Sequence, residues 1–169
     1  MHRVHRYHDI SAGHRVVGHE SKCRHLHGHN YRIHFICEAD PVLVSKEIGP
    51  SAKKRELDEL GRVIDFGVIK ERLCMWVEMN WDHKFLVYMQ DPLVRALVRD
   101  ANNSPTMALE DMRMFDQSLV WLPFNPTAEN LAEYLVEQIG PAQLNGTGVR
   151  LVEVRIEETA KCHVTYGAK

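Results

Sequence analysis

The segment Cys23-Arg24-His25-Leu26-His27-Gly28-His29-Asn30-Tyr31 places two histidines two positions apart. In an extended chain residues i and i+2 point to the same face, so a strand through this segment aims two imidazoles at one point. A third imidazole from a neighbouring strand completes a three-nitrogen face of the kind zinc takes, at about 2.0–2.1 Å per Zn–N bond, with an open fourth position in catalytic sites. His14 is the favoured third ligand, because it ends its own extended segment, Tyr7 to His14, and brings a second chain direction. His25 shares the strand parity of His27 and His29 and would face the metal side if the strand reached that far. Three ligands from one strand, however, would lie nearly in line and could not enclose a tetrahedral ion. Gly28, between the two ligands, has no side chain to crowd an ion. Cys23 lies between Lys22 and Arg24, and positive neighbours lower a thiol pKa from about 8.5. A thiol beside an open metal position is a candidate nucleophile or base.

Length and charge narrow the setting. A chain of 169 residues fits one domain and can bury about 70% of its unfolded surface. The formal charge of −2 gives no reason to expect nucleic acid or an anionic membrane as partner. There is no apolar stretch of about 18 residues, and the polar, histidine-rich Met1 to Asp9 does not read as a cleavable signal. A cytoplasmic protein is expected, with Cys23, Cys37, Cys74 and Cys162 kept as thiols. None of the four forms a Cys-x-x-Cys pair, which argues against a zinc ribbon or a thioredoxin-like site. Of the eleven histidines, His2, His5, His8, His19 and His34 read as solvated or hydrogen-bonded rather than as ligands.

The pattern predicts strands at Val4 to Ile10, running into the bend Ser11-Ala12-Gly13-His14, and at Asn30 to Glu38, where Tyr31, Ile33, Phe35 and Cys37 share one face. Gly49-Pro50-Ser51 reads as loop, Ala52 to Leu60 as a short helical turn and Arg62-Val63-Ile64 as extended. Asp65 is placed to cap a helix from Phe66 to about Trp81, with Ile69, Leu73, Trp76 and Val77 at core spacing. Asp91-Pro92 opens another helix towards Asn102, and Asn103 to Asp116 carries no clear signal. Ser118 to Phe124 is extended and apolar. Asn125-Pro126 reads as N-cap and first residue of a helix through Ile139. Strands at Val149 to Glu157 and His163 to Tyr166 flank a turn near Ala160-Lys161.

Three further groups allow a structural and a functional reading each. Asp82-His83 can be a helix terminus whose imidazole complements the exposed carbonyls, or a carboxylate orienting an imidazole for general acid–base work. Asn125-Pro126-Thr127-Ala128-Glu129-Asn130 can be a plain helix start, or one whose amides and Thr127 hydroxyl bind a polar ring. Glu157-Glu158-Thr159 can be a solvated strand end, or hold a carboxylate that accepts two hydrogen bonds from an amidine-like edge.

Together these pieces resemble the superfamily of 6-pyruvoyl-tetrahydropterin synthase and 6-carboxytetrahydropterin synthase. The matching segments are Ser11-Ala12-Gly13-His14, Cys23-x-x-x-His27-Gly28-His29-Asn30-Tyr31, Gly61-Arg62-Val63-Ile64-Asp65-Phe66, Trp81-Asp82-His83, Pro126-Thr127-Ala128-Glu129-Asn130-Leu131 and Glu158-Thr159. They run in the family's order from near residue 7 to residue 166. The three residues between Cys23 and His27 are similar to the bacterial carboxy synthases; the animal 6-pyruvoyl enzymes typically carry a longer gap. The resemblance implies an α+β tunnelling fold: a four-stranded antiparallel sheet with helices on one face, sheets joining into a barrel on oligomerisation. It implies one domain over residues 1–169, with insertions near 39–60 and 88–122. The implied ligands of a Zn2+ ion are His14, His27 and His29; the implied catalytic residues are Cys23, Asp82 and His83; the implied substrate contacts are Glu158, Thr127 and Glu129. Lys22, Arg24 or Arg15 would meet a triphosphate, on charge alone. Ala128 stands where some members carry a hydroxyl, and Trp81 replaces a more common leucine.

The implied reaction converts 7,8-dihydroneopterin triphosphate to 6-carboxy-5,6,7,8-tetrahydropterin, acetaldehyde and triphosphate, in queuosine (7-deazapurine) synthesis. The implied assembly is a homo-oligomer, hexamer or tetramer, with sites at subunit contacts and no nucleic-acid or membrane partner. The alternatives are 6-pyruvoyl-tetrahydropterin synthase activity, and a non-catalytic zinc- or pterin-binding protein on the same scaffold. A zinc hydrolase is disfavoured, because there is no His-Glu-x-x-His helix.

Overall fold

Alternation along the chain builds one long antiparallel pair. The computed structural model describes residues 1–40 and 57–168. In it β1 (Arg3–His14) and β2 (His27–Ala39) run antiparallel from Arg3↔Glu38 to His14↔His27. Ile10, Ala12 and His14 of β1 and Tyr31, Ile33, Phe35 and Cys37 of β2 are buried, each set at period two. This is the face that packs on the core. The expected loop at Gly49-Pro50-Ser51, most of the turn from Ala52 to Leu60 and most of the 39–60 insertion lie outside the described residues.

Asp65 caps α1 as its sequence suggests, its side chain accepting from the Gly67 amide at 2.7 Å. The helix runs as Phe66–Ile69, a π-helical turn Lys70–Cys74 and Met75–Trp81, together α1 (66–81). Ile69, Leu73, Val77 and Trp81 pack into the core. Arg62-Val63-Ile64, expected as extended, is a bend without ladder partners that leads into the Asp65 cap. The chain returns as β3 (Phe85–Tyr88), then α2 (Pro92–Asn102), α3 (Leu109–Gln117) and β4 (Leu119–Leu122). Residues 128–144 form α4, again with a π-helical turn in the middle, at Leu135–Ile139. Finally β5 (Val149–Thr159) pairs antiparallel with β2 and with β6 (Cys162–Gly167).

The sheet order is β4-β3-β1-β2-β5-β6. The four antiparallel strands β1, β2, β5 and β6 are those the resemblance implies, with α1 and α4 packed on their buried face. The sheet has six strands rather than four, because β3 joins β1 in parallel at Gly13 and His14 and β4 joins β3 in parallel. Two boundaries also differ. Thr127, not Asn125, caps α4, its hydroxyl accepting from the Asn130 amide at 3.3 Å. The helix also runs past Ile139 through Gly140-Pro141 to Leu144, since the π-helical turn shifts the hydrogen-bond ladder just before the proline.

At the end of β1 and β2 Gly13 faces Gly28. A Cβ on Gly13 would collide with the Phe85 ring, and one on Gly28 would meet the Ala12 carbonyl oxygen at 2.9 Å. Gly28 is therefore required by the close approach of β1, on the face opposite the histidines, and not by room for an ion. Gly28→Ala is expected to cost about 1–3 kcal/mol of stability in urea unfolding, because backbone must move. Gly167→Ala, whose Cβ would meet nothing closer than the Val152 oxygen at 3.8 Å, is expected to cost far less.

Candidate metal and thiol site

The β1–β2 register sets the histidine cluster. His14 stands directly opposite His27, and His29 lies two positions further on the same face of β2. The ring centroids are 4.5 Å apart for His14–His27, 5.2 Å for His14–His29 and 5.0 Å for His27–His29. One ring nitrogen from each lies within 4.8 Å of the other two, a spacing that can hold a metal ion. His25 is not in the strand. Its backbone oxygen instead lies 2.8 Å from Nδ1 of His27.

Hydrogen bonding selects the nitrogens that face one another. Nδ1 of His14 is 2.6 Å from the Pro126 carbonyl oxygen. A carbonyl only accepts, so Nδ1 of His14 and of His27 each carry a proton and the Nε2 atoms are the ones left to face a ligand. Nε2 of His14 is buried without a hydrogen-bond partner, an orphan that a metal ion would satisfy. Such an outer carbonyl is the usual support of a ligating histidine. Burial pushes the pKa of His14 down to about 4, against the opposing pull of the Pro126 carbonyl. That of His29 is also lowered, chiefly by burial. Neutral imidazole is the form that ligates. The donor set, three nitrogens with an open side, fits zinc.

The segment before α4 holds this cluster in place. The side chain of Asn125 accepts from the Val17 amide at 2.9 Å and donates to the Val17 carbonyl at 3.0 Å. That clamp ties the loop after β1 to Pro126, whose carbonyl orients His14. Sequence reasoning takes Asn125 for a helix cap; the Asn-Pro pair is the visible signal, with the wrong role attached.

A cavity of about 440 Å³ opens beside the cluster, lined by His14, Cys23, Thr127, Glu129 and Glu158 among others. Five of the nine residues singled out from sequence thus converge. Cys23 is half-buried on a single 3-10 turn, Lys22–Arg24. Glu158 is the residue left unpaired by a bulge between Glu157 and Thr159, and bulges re-aim side chains. Its Oε1 lies 3.5 Å from Nε2 of His14 and 3.7 Å from Nε2 of His29. Tyr31 contributes a buried hydroxyl with no hydrogen-bond partner, its ring 5.9 Å from that of His14 and 5.6 Å from that of His29. The alternation of β2 marks Tyr31 only as a core residue, which its burial supports; the orphan hydroxyl has no sequence signal.

Asp82 and His83 are brought together, but elsewhere. Asp82 Oδ2 is 2.6 Å from His83 Nδ1, and Asp82 Oδ1 accepts from the Ser11 amide at 2.8 Å. Desolvation alone would raise the Asp82 pKa; the hydrogen bonds from Ser11 and His83 overcome it and hold the carboxyl below its ordinary value. His83 follows the helix end at φ 54°, its amide donating to the Ser11 carbonyl at 2.7 Å. His83 lines one other cavity, with Ser11, Asn30 and His29 of the histidine cluster, and both residues line a second with Ser11 and Asn30; neither lines the one that holds Cys23. The His83 side chain is 83% exposed. Arg15 is also turned away from the role its charge suggested: its Nε lies 3.1 Å from Oδ2 of the buried Asp91, which caps α2 through the Leu93 and Val94 amides.

A family model described as 6-pyruvoyl tetrahydropterin synthase matches residues 3–169. A 6-carboxy-5,6,7,8-tetrahydropterin synthase of Rickettsia felis is 31% identical over 156 residues, 92% of this chain and 93% of its own. A probable 6-carboxy-5,6,7,8-tetrahydropterin synthase of Halobacterium salinarum is 36% identical over 60% of this chain and 53% of its own. Among solved structures, an uncharacterized protein of Wolinella succinogenes superposes with a TM-score of 0.77 at 23% identity, covering 99% of this chain and 98% of its own. The 6-pyruvoyl tetrahydropterin synthase of Caenorhabditis elegans does so with a TM-score of 0.56 at 22% identity, covering 99% and 95%. These two likenesses speak for the fold. With the family model matched across nearly its whole length, the chain belongs to the 6-pyruvoyl tetrahydropterin synthase family and is a lyase.

Proposed function

We propose that this protein is a zinc-dependent 6-carboxytetrahydropterin synthase acting on 7,8-dihydroneopterin triphosphate in queuosine (7-deazapurine) synthesis in the cytoplasm. The observation that carries the reading is the single cavity that joins His14 of the histidine cluster to Cys23 and Glu158. The name carried by the Rickettsia felis relative and the three-residue gap between Cys23 and His27 favour the carboxy product over the pyruvoyl one.

His14, His27 and His29 would hold Zn2+, which supplies Lewis acidity to the substrate's side-chain hydroxyls and so acidifies the neighbouring C–H bonds. Cys23, as thiolate, takes a proton from the side chain. Glu158 accepts the amino-pyrimidine edge of the pterin as a two-point hydrogen-bond partner, and Thr127 and Glu129 shape the pocket around the ring. His83, aligned by the ionised Asp82, moves the second proton.

Because neither Asp82 nor His83 lines the cavity that holds Cys23, we assign His83 to the active site of a neighbouring copy. Two features support such an assembly. The His83 side chain is exposed, and β3 covers β1 only at Gly13 and His14, leaving the rest of that strand edge without a ladder partner among the described residues. Exposed strand edges are commonly closed by pairing with another copy.

The test is mass spectrometry of products from zinc-loaded protein given 7,8-dihydroneopterin triphosphate, with acetaldehyde trapped in parallel. 6-Carboxytetrahydropterin with matching acetaldehyde is expected. A 6-pyruvoyl product without acetaldehyde would assign the sister reaction, and unchanged substrate would leave a binding protein. Cys23→Ala is expected to lose about 10²-fold or more in turnover, a typical loss for a positioned acid or base, with zinc content unchanged. His27→Ala is expected to lose the metal itself, read by elemental analysis after dialysis. Asp82→Asn should slow turnover at least about tenfold while metal content stays at the wild-type level.

A further inference from the structure

Glu158 is surrounded in an unusual way for a carboxylate. Among the described residues neither lysine nor arginine pairs with it; its ionic neighbours are the Nε2 atoms of His14 and His29, at 3.5 and 3.7 Å. Two donors each about 2.0–2.1 Å from one tetrahedral ion stand about 3.3–3.4 Å apart, close to both distances. Oε1 of Glu158 thus stands at nearly the spacing from two ligating nitrogens that a fourth ligand would have.

We propose that Glu158 is the fourth ligand of the metal when no substrate is bound, and that an arriving pterin draws the carboxylate off the ion and onto its own amino-pyrimidine edge. This rests on the metal centre and the pterin reading given above. The resting site would then be a closed set of three imidazoles and one carboxylate, with one charge of the dication balanced. The buried Tyr31 hydroxyl is the second support. It is 2% exposed, has no hydrogen-bond partner and lies next to Glu158, its ring 5.9 Å from that of His14 and 5.6 Å from that of His29. A carboxylate held at the ion would give that hydroxyl an acceptor. Opening of the site would be coupled to recognition of the correct ring, since only a ligand offering Glu158 a better partner frees the fourth position.

The experiment titrates metal-free full-length protein with Co2+ and follows its visible bands, with X-ray absorption counting the oxygen ligands. Wild type is expected to show three nitrogens and one carboxylate oxygen. Glu158→Gln is expected to shift the bands and weaken Co2+ binding at least about tenfold, the lower end of what even indirect partners of a metal cost; Tyr31→Phe should weaken it less. Adding neopterin, which lacks the triphosphate, should move the wild-type bands and leave those of Glu158→Gln unmoved. Unchanged bands and affinity in Glu158→Gln, or no carboxylate in the wild-type shell, would overturn the proposal while leaving Glu158 as a pterin anchor. Failure of wild type to bind Co2+ would overturn it together with the metal centre.

Discussion

The pairing of His14 with His27 across the antiparallel β1–β2 ladder is the constraint on which the site depends. A slip of one residue would send His14 to the other face of the sheet, since side chains alternate. The register is held by buried apolar sets on both strands and by Gly28, where an added Cβ would meet the Ala12 carbonyl oxygen of the facing strand. Fold stability and ligand geometry are thus set by the same contacts. The opposite face of the same strand end receives β3 against Gly13, and the strand's backbone at Ser11 grips Asp82 and His83. One short segment, Ser11-Ala12-Gly13-His14, therefore positions both the histidine cluster and the Asp82-His83 pair.

Much of this was legible in the chain, for identifiable reasons. Alternation broken only at Ile36 revealed β2, and Asp65 and Asp91 announced their helices because each side chain does cap the following amides. His14, His27 and His29 were legible as a cluster because His-x-His has one geometric meaning in a strand. What escaped had no local signal. Four apolar residues at Phe85–Tyr88 do not alternate, and their parallel pairing depends on partners distant in sequence. Leu109–Gln117 begins at Ala108, which has no side chain to cap with, and buries no residue fully. Thr127 displaced Asn125 as cap because the asparagine is occupied by Val17.

The separation of Asp82-His83 from the Cys23 cavity concerns something the sequence leaves open. A motif in one dimension says that residues belong to one reaction, not that they belong to one copy of the chain. The structure gives the dyad a firm local frame, yet turns His83 outward. The segment 88–122 also acquires a physical role here. It supplies α2, α3 and β4, and through the buried Asp91 it engages Arg15, the residue directly after His14. The segment is thereby anchored to the strand that carries His14.

The measurement that bears most directly on this account mixes two inactive variants, Cys23→Ala and His83→Ala, by co-expression under different tags. A site that draws its cavity from one copy and its dyad from another should regain activity in the mixed assembly, roughly one site in four by random assortment of a symmetric oligomer. Purified mixed oligomers that stay as inactive as either parent would contradict it, and would place both halves of the chemistry within a single chain.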